Sequence, residues 1–331
     1  MNSEGIKFAA RVFLIGCGPT SLSALEALSE HFVVVGLARE CPGDNPELDE
    51  TIVRAKSLDV PVYLKPTLRR IDRLVSELKP DCVVVSSISR VLPQATLARC
   101  RFLNVHYAPL PRYRGLAAVN WTVINNEQFA GITIHTITPG LDAGNILFQE
   151  IVPICNDQTT VDIFRTLNEI QRNRLPAAVQ NYLDGDPGLP QPENEATYCC
   201  SRNPEDGEID WSKPAPEIYN LVRALVAPYP GAFTFYQGKR LVVWKAEIVE
   251  NPPRFVGHVP GRVVVVSRPG GFVDVLAGEG VLRIREVQFP GEKPKRASEV
   301  LTSVRGTLGL RASDLLSRIE RLEKLLIESK A

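Results

Sequence analysis

Short apolar runs that alternate with helix-like segments are the feature that most restricts what this chain can fold into. The runs are rich in β-branched residues and occur between residues 11 and about 138. They cover residues 12–15, 32–36, 60–64, 82–85, 102–106 and 132–135. Apolar residues at helical spacing lie between them, at residues 22–28, 50–58 and 71–78. This alternation predicts a doubly wound α/β domain with a mostly parallel sheet covered by helices on both faces.

The pattern changes after a helix-rich stretch at residues 161–183. Residues 184–192 contain three prolines and two glycines, which interrupt any regular element. After one more helix, at about 215–224, five short strands with turn residues between them are predicted. They cover residues 232–236, 240–249, 262–267, 271–277 and 281–288. Such strands are typical of a small closed or partly open, OB-like β-barrel.

We therefore predict an amino-terminal catalytic domain at residues 1–185, a linker at 186–212, a β-barrel domain at 213–310 and a carboxyl-terminal helix at 311–331. In this last helix Leu315, Ile319, Leu322 and Leu326 alternate at spacings of four and three residues over about two heptads. That is too short to establish a coiled coil. We expect the helix to pack on its own domain, with a homodimer as the alternative.

Charge and cysteine content exclude several classes of protein. Lysine plus arginine and aspartate plus glutamate both number 38, so net charge favours neither a nucleic acid nor a membrane surface as an obligate partner. The seven cysteines lack a C-x-x-C pair, which argues against a disulfide scaffold or a zinc site. The first residues lack the layout of a signal peptide, and no apolar window approaches the roughly 18 residues of a membrane span. We expect a soluble, cytoplasmic protein with reduced thiols.

A glycine-containing turn at residues 16–21 follows the first predicted strand and is similar to a dinucleotide-binding loop. However, Ser21 occupies the third glycine position, Pro19 lies inside the loop, and Glu40 is the only acid near the expected ribose position. A tight turn from strand to helix explains these glycines more simply, and a nicotinamide enzyme is the minor alternative.

The stretch from Asn104 onward carries the candidate chemistry. Asn104 and His106 are two residues apart on a predicted strand, so they project to one face near the carboxyl edge of the sheet, where ligands bind in such folds. A proline-rich loop at residues 109–115 follows. Asp142 lies in a loop between two glycines. An aspartate in such a loop can approach the imidazole of His106 closely. Together they make a candidate set of amide donor, histidine and carboxylate.

Each of these residues also has a structural interpretation when it is taken alone. A strand histidine is often only hydrogen-bonded, and asparagine and aspartate commonly satisfy turns. His135 alternates with isoleucines and has no loop signature beside it, so we interpret it as structural.

Several motifs resemble, in their order along the chain, the core of the formyltransferases that use 10-formyltetrahydrofolate. They are Asn104-Val105-His106, residues 110–115, Asn120-Trp121, residues 131–135 and residues 141–144. Residues 195–198, 206–211 and 228–233 resemble the linker and the start of the carboxyl-terminal barrel in the family members that act on methionyl-tRNA and on UDP-4-amino-4-deoxyarabinose. The resemblance covers roughly residues 10 to 290, and its core motifs are specific.

The resemblance implies a role for each member of the candidate set. Asn104 and His106 would hold and polarise the formyl oxygen, and His106 would also carry protons. Asp142 would orient His106 and accept the proton of the attacking amine. The formyl donor implied is 10-formyltetrahydrofolate, and no metal is required.

Further contacts follow from the same resemblance. It implies a pterin pocket and two positions next to the substrate. The pocket residues are Ser89, Arg90, Val91, Leu92, Gly140, Leu141 and Asp142, and the substrate positions are Tyr113 and Arg114.

The acceptor is expected to be a small amine. Many relatives have a serine-leucine-leucine-proline loop after the histidine, whereas residues 107–111 here read Tyr-Ala-Pro-Leu-Pro, which gives the pocket a different wall. Methionyl-tRNA enzymes of the family carry a basic insertion after the second strand, but residues 39–50 here contain five acids and one arginine. Such a segment repels RNA.

We therefore expect a nucleotide-linked 4-amino sugar as the acceptor, and no nucleic acid or membrane as a partner. A hydroxylated ornithine-type amine, methionyl-tRNA and plain hydrolysis of 10-formyltetrahydrofolate are the alternatives, in that order. A non-catalytic scaffold protein would have no use for the intact set of Asn104, His106 and Asp142.

Overall fold

A computed structural model describes residues 10–41, 45–310 and 312–328, which form two compact units. The first unit extends to Thr122 and includes Gln128–Cys155 and Asp162–Ser201. The second contains Val123–Glu127, Asn156–Val161 and the chain from Arg202 onward. Residues 186–201 of the predicted linker thus belong to the first unit, and the domain boundaries drawn from sequence stay a prediction. The first residues, which we considered for a signal peptide, and residues 42–44 of the acidic segment lie outside the described residues.

The first unit is built on a seven-stranded sheet. The strands of this unit are β1 (Arg11–Gly16), β2 (Val33–Arg39), β3 (Val62–Leu64), β4 (Cys82–Ser86), β5 (Arg101–His106), β6 (Arg114–Gly115), β7 (Phe129–Thr136), β8 (Ile146–Pro153) and β9 (Tyr198–Cys199). The sheet has the order β3-β2-β1-β4-β5-β7-β8, while β6 and β9 form a separate pair. The five neighbouring strands β3, β2, β1, β4 and β5 are parallel to one another. Strand β7 is antiparallel to β5, and β8 is antiparallel to β7. The predicted mostly parallel α/β fold is confirmed.

Helices α1 to α6 connect these strands. They are α1 (Gly18–His31), α2 (Glu50–Ser57), α3 (Leu68–Leu78), α4 (Gln94–Leu97), α5 (Ala118–Ile124) and α6 (Thr160–Leu183). The side chains of Asp49 and Thr67 accept hydrogen bonds from the backbone N–H groups of Ile52 and Arg70, and so cap α2 and α3. Residues 12–15 of β1 and 82–85 of β4 are fully buried, as the apolar runs predict for strands that are covered on both faces.

The second unit contains an antiparallel sheet. Its elements are α7 (Ala215–Ala224), β10 (Ala232–Tyr236), β11 (Lys239–Ile248), β12 (Val263–Ser267), β13 (Phe272–Leu276), β14 (Val281–Gln288), β15 (Lys295–Arg296), α8 (Ala297–Val300) and α9 (Ala312–Glu328). The order is β10-β11-β14-β13-β12, with β15 paired to β14. Val263 of β12 donates its backbone N–H to the carbonyl of Gly306 at 3.0 Å, and the N–H of Gly309 reaches the carbonyl of Phe235 in β10 at 2.9 Å. The segment 306–309 therefore links the two edge strands, which confirms the predicted barrel-like second domain.

Helix α9 differs from expectation in its packing. Leu315, Ile319 and Leu322 are 41%, 51% and 52% exposed, so, contrary to our expectation, these three side chains do not pack closely on their own domain. The Leu326 side chain lies outside the described residues, and a dimer through this helix stays a prediction.

Two findings bear on cellular context. Within residues 10–41, 45–310 and 312–328, no helix combines the length and apolarity needed to cross a bilayer. All seven cysteines are free thiols. A cytoplasmic location stays a prediction.

Candidate active site

The candidate site is built on the antiparallel pair of β5 and β7. Asn104 lies directly opposite His135 across this pair, and His106, the last residue of β5, lies opposite Thr133. Residues two apart on a strand share a face, and so do residues directly opposite each other on neighbouring strands. Asn104, His106 and His135 therefore project to the same side of the sheet.

Asp142 reaches this face from the loop between β7 and β8. One of its carboxylate oxygens, Oδ1, accepts a hydrogen bond from the amide of Asn104 at 3.3 Å. The other, Oδ2, accepts from the backbone N–H of Gly115 at 2.8 Å and lies 3.7 Å from Nδ1 of His106. The predicted set of Asn104, His106 and Asp142 is thus assembled in one place. We call these three residues together with His135 the Asp142 cluster.

The loop can approach β7 this closely because of a glycine. A Cβ atom on Gly144 would lie 1.7 Å from the carbonyl oxygen of Thr136, so a residue with a side chain would push the loop away from the strand. Asp142 itself has a φ of 46°, a left-handed conformation that is uncommon for a residue other than glycine. Such backbone conformations concentrate at functional sites.

The hydrogen bond of His106 determines which of its nitrogens can move a proton. Its Nε2 lies 2.8 Å from the backbone carbonyl oxygen of Tyr113. A carbonyl oxygen only accepts, so Nε2 carries a hydrogen and Nδ1 is the nitrogen that can gain or lose one. Nδ1 faces the Asp142 carboxylate at 3.7 Å, a gap that a proton-bearing group or a small closing movement can bridge. Both side chains are only slightly exposed, at 11% and 14%.

His135 lies next to Asn104 and Asp142, a proximity that the sequence did not indicate, and our interpretation of it as a structural residue stays a prediction. Its Nδ1 lies 2.8 Å from the carbonyl oxygen of Thr136, to which it donates, so its Nε2 is left to accept from the amide of Asn104 at 3.1 Å. Burial lowers the pKa of His135 from 6.5 to about 4, which keeps the ring neutral near pH 7. A neutral His135 thus fixes which way the Asn104 amide points.

The residues of the predicted pterin pocket lie in two loops. Residues 89–92 connect β4 to α4. There the guanidinium of Arg90 pairs with Glu40 and donates to the carbonyl of Pro66 at 2.7 Å, while Val91 is exposed and Leu92 is buried. Residues 140–142 form the loop that carries Asp142, with Leu141 about half exposed. That these loops hold a pterin stays a prediction.

The two predicted substrate positions have internal partners. Tyr113 is 9% exposed, and its carbonyl holds His106. Arg114 is 1% exposed and makes a bidentate pair with Glu193, with both distances at 2.9 Å. A direct contact of either side chain with an acceptor stays a prediction.

The glycine turn at residues 16–21 is occupied by a side chain of the protein. Arg39, at the end of β2, donates to the carbonyl of Gly18 at 3.2 Å and to the hydroxyl of Ser21 at 2.7 Å. Its guanidinium also forms a buried pair with Asp49 at 2.8 Å. We call these four residues the Arg39 cluster. It supports the interpretation of a tight turn, because Arg39 already holds a carbonyl and a hydroxyl of that turn.

Comparison with known sequences identifies both halves of the chain. The sequence profile described as "Formyl transferase" matches residues 63–179, and the one described as "Formyl transferase, C-terminal domain" matches residues 202–305. Methionyl-tRNA formyltransferase of Alkaliphilus oremlandii (strain OhILAs) is 33% identical over 261 residues, which cover 76% of this chain and 81% of that enzyme.

Two solved structures share the fold. HypX from Aquifex aeolicus in complex with tetrahydrofolic acid superposes with a TM-score of 0.64 at 19% identity, over 90% of this chain and 48% of HypX. This chain therefore spans about half the length of HypX. WlaRD, a sugar 3N-formyl transferase in the presence of dTDP and 5-N-formyl-THF, gives a TM-score of 0.60 at 16% identity, over 86% of this chain and 100% of WlaRD.

Proposed function

Because this chain belongs to the formyl transferase family and is a 10-formyltetrahydrofolate-dependent formyltransferase, we propose that it formylates the amine of a small molecule. A nucleotide-linked 4-amino sugar is the acceptor that we place first. The observation that carries this proposal is the Asp142 cluster, in which an imidazole nitrogen open to proton exchange and an oriented amide lie 3.7 and 3.3 Å from one carboxylate.

The donor chemistry fits the groups that the cluster presents. When bound, 10-formyltetrahydrofolate supplies a formyl carbon that an amine can attack. Asp142 is placed to accept the proton that the amine loses as its nitrogen bonds to that carbon. That proton can pass from Asp142 to Nδ1 of His106, which lies 3.7 Å away, and from there to the folate nitrogen as its bond to the formyl carbon breaks. Nε2 takes no part, since it is committed to the carbonyl of Tyr113.

Asn104 stabilises the negative charge that develops on the formyl oxygen. Its amide carries two hydrogens, one directed at His135 at 3.1 Å and one at Asp142 at 3.3 Å. The longer bond is the weaker one, so a formyl oxygen that approaches the amide can compete with Asp142 for that hydrogen. Its contribution is greatest in the transition state, where the charge is largest.

The segment after β2 supports a small acceptor. Arg39 is the only cation in residues 39–50, and its guanidinium is buried against Asp49. No lysine or arginine between residues 40 and 50 is therefore available to hold a phosphate backbone, which is the contact that RNA binding requires. Two of the acids have internal partners, because Asp49 pairs with Arg39 and Glu40 pairs with Arg90. WlaRD illustrates that a sugar formyl transferase can be built on this fold.

Methionyl-tRNA is the second candidate acceptor. It is favoured by the 33% identity to the methionyl-tRNA formyltransferase of Alkaliphilus oremlandii. The same Asp142 cluster would serve either amine, so the two candidates differ in how the acceptor is held rather than in the chemistry.

A panel of acceptors tests the proposal. The full chain is incubated with 10-formyltetrahydrofolate and, separately, nucleotide-linked 4-amino sugars, hydroxylated ornithine, methionyl-tRNA or no amine. The gain of one formyl group is followed by mass spectrometry. We expect the highest kcat/KM with an amino sugar. A comparable kcat/KM for methionyl-tRNA would overturn the small-amine assignment, and release of formate without any amine would indicate a hydrolase. The variant with both His106→Ala and Asp142→Ala is the control for non-enzymatic formylation.

A further inference from the structure

The proline-rich segment after α6 returns to the candidate site. Leu189 exchanges two backbone hydrogen bonds with Ile146 at the start of β8, both at 2.8 Å. Further along, the hydroxyl and carbonyl of Thr197 accept the backbone N–H groups of Tyr113 and Arg114, each at 2.9 Å. The segment is thus attached on one side to the end of the Asp142 loop and on the other to the strand that follows His106.

Gln191 lies between these two attachment points and holds the Asp142 loop by its backbone. Its side-chain NH₂ group donates to the carbonyl oxygens of Asp142 and Gly144, both at 2.7 Å. These are the two residues whose placement decides where the Asp142 carboxylate lies. The two bonds use both hydrogens of the amide, so Gln191 binds the loop at two points rather than one.

Arg114 fixes Gln191 from the opposite side. The side-chain oxygen of Gln191 accepts from Nε and Nη2 of Arg114 at 3.2 and 2.9 Å. Arg114 is in turn held by the carboxylate of Glu193, which raises the pKa of the guanidinium and keeps it charged. Two charge-assisted bonds to one amide oxygen also settle which end of that amide faces the loop.

We infer that Gln191 is a positioning residue for Asp142, which holds the carboxylate where His106 and the N–H of Gly115 can reach it. Strand β6 and the residue before it connect the parts. Tyr113 supplies the carbonyl for His106, Arg114 holds Gln191, and Gly115 donates directly to Asp142. The Asp142 loop has a left-handed residue at its tip, and the two bonds from Gln191 offset the cost of that conformation.

A double-mutant cycle tests the role of Gln191 in turnover, and this arm depends on the proposed function. Gln191→Ala is expected to lower kcat roughly 10- to 100-fold, because small displacements of a reacting group have effects of that size. In an Asp142→Ala background the same change is expected to cost less than about twofold, since no carboxylate is left to place. An equal loss in both backgrounds, or unchanged kcat in the single variant, would overturn the inference.

Gln171→Ala is the matched control. Gln171 is a buried glutamine that also makes two side-chain bonds, to the carbonyl of Thr20 and the hydroxyl of Tyr107, but neither partner belongs to the Asp142 cluster. Its loss is expected to reduce stability while kcat of the folded protein stays within about twofold. A structural effect of removing any buried glutamine is thereby separated from an effect on Asp142.

A second measurement needs no acceptor and is independent of the proposed function. The backbone N–H of Gly115 donates to Asp142, so its hydrogen exchange reports whether the carboxylate is in place. We expect exchange at Gly115 to be about tenfold faster or more in Gln191→Ala, and to change by less than about threefold in Gln171→Ala. Unchanged exchange in Gln191→Ala would overturn the inference even if the enzyme is active, and an enzyme without any formylation would overturn the proposed function alone.

Discussion

The Asp142 cluster and the Arg39 cluster are two polar clusters of one unit that use their hydrogen bonds in opposite ways. In the Arg39 cluster, the guanidinium bonds to a carboxylate, a hydroxyl and a carbonyl at 2.7–3.2 Å, and both charged side chains are 6% exposed. In the Asp142 cluster the imidazole and carboxylate of His106 and Asp142 are 3.7 Å apart and more exposed. The first cluster has few groups left to offer a ligand, whereas the second has a proton acceptor and an amide hydrogen in a long, weak bond.

This difference shows that a motif is informative only when the partners of its polar groups are known. The glycine turn looks like a binding loop in sequence, yet the arginine that follows β2 satisfies it from within. Asn104 and His106 on β5 look like a weaker binding motif in sequence, yet both face the carboxylate of Asp142. A saturated cluster contributes stability, and an incompletely bonded one is available for chemistry.

Removing either side chain of the reacting pair in the Asp142 cluster should have the largest effect on turnover. We expect His106→Ala and Asp142→Ala each to lower kcat by roughly 100-fold or more, because a positioned acid or base typically contributes 10²–10⁴-fold. The melting temperature should fall only modestly, since each change removes one 2.8 Å bond to the backbone, from Gly115 to Asp142 or from His106 to Tyr113. Steady-state kinetics at saturating substrates, together with thermal melts, measure both quantities.

His258→Ala is the control for these variants. His258 lies in the second unit, where Nε2 bonds to the carbonyl of Ala277, and its loss should leave kcat unchanged. Near wild-type turnover in either His106→Ala or Asp142→Ala would remove that residue from the mechanism.

The opposite result is expected for the Arg39 cluster. Asp49→Asn keeps a side chain that can cap α2 but removes the charge that faces Arg39. A buried guanidinium without its counter-ion should lower the free energy of unfolding by about 3 kcal/mol or more. The kcat of the folded protein should stay within about twofold. Urea unfolding and kinetics at low temperature separate the two effects.

A second substitution sharpens this prediction. Adding Arg39→Met to Asp49→Asn removes the uncompensated charge and should recover much of the lost stability. If the double variant is less stable than the single one, the hydrogen bonds of Arg39 to the glycine turn matter more than its charge. A large fall in kcat in Asp49→Asn would show that the two clusters are not separate in function.

Acid should weaken the fold through His135 in the Asp142 cluster. Burial lowers the pKa of His135 from 6.5 to about 4. Between pH 6.5 and 4 the imidazole of His135 is therefore protonated in the unfolded chain and neutral in the folded one. The free energy of unfolding that this difference contributes is fully present above pH 6.5 and is lost as the pH falls toward 4. The shift corresponds to about 3 kcal/mol. Urea unfolding measured from pH 7.5 to 4 should show a larger fall in the free energy of unfolding for wild type than for His135→Leu. Parallel pH curves for the two proteins would contradict this prediction.

The sequence was sufficient for strands β1 to β5 and β7 and for three members of the Asp142 cluster, but it did not indicate β8, α4 or α5. The positions of Asn104, His106 and Asp142 follow from their spacing and from their resemblance to a known family. The β-branched runs mark strands within a few residues, because strands buried on both faces have almost no polar positions.

The remaining members of the site depend on tertiary register. His135 faces Asn104 only because β7 runs antiparallel to β5, and no local pattern separates this pairing from a parallel one. Gln191 lies in a segment whose composition indicates only a linker. Gln191 can make its two bonds to the Asp142 loop because the chain returns to lie beside β6. Hydrophobic periodicity does not indicate such a return.

The smallest effect on kcat/KM is expected from added salt. This effect tests which acceptor the Asp142 cluster formylates. An interface that neutralises several RNA phosphates releases counter-ions, so its affinity falls by roughly 10³–10⁵ between 50 and 200 mM salt when 6–10 phosphates are contacted. Residues 40–50 contain no lysine or arginine, and Arg39 is committed to Asp49. A nucleotide-linked sugar brings about two phosphates, so we expect kcat/KM for the acceptor to change by no more than about tenfold over this range. A loss of several hundredfold, with methionyl-tRNA bound tightly at low salt, would mean that other basic residues hold an RNA and that the acidic segment does not decide the acceptor.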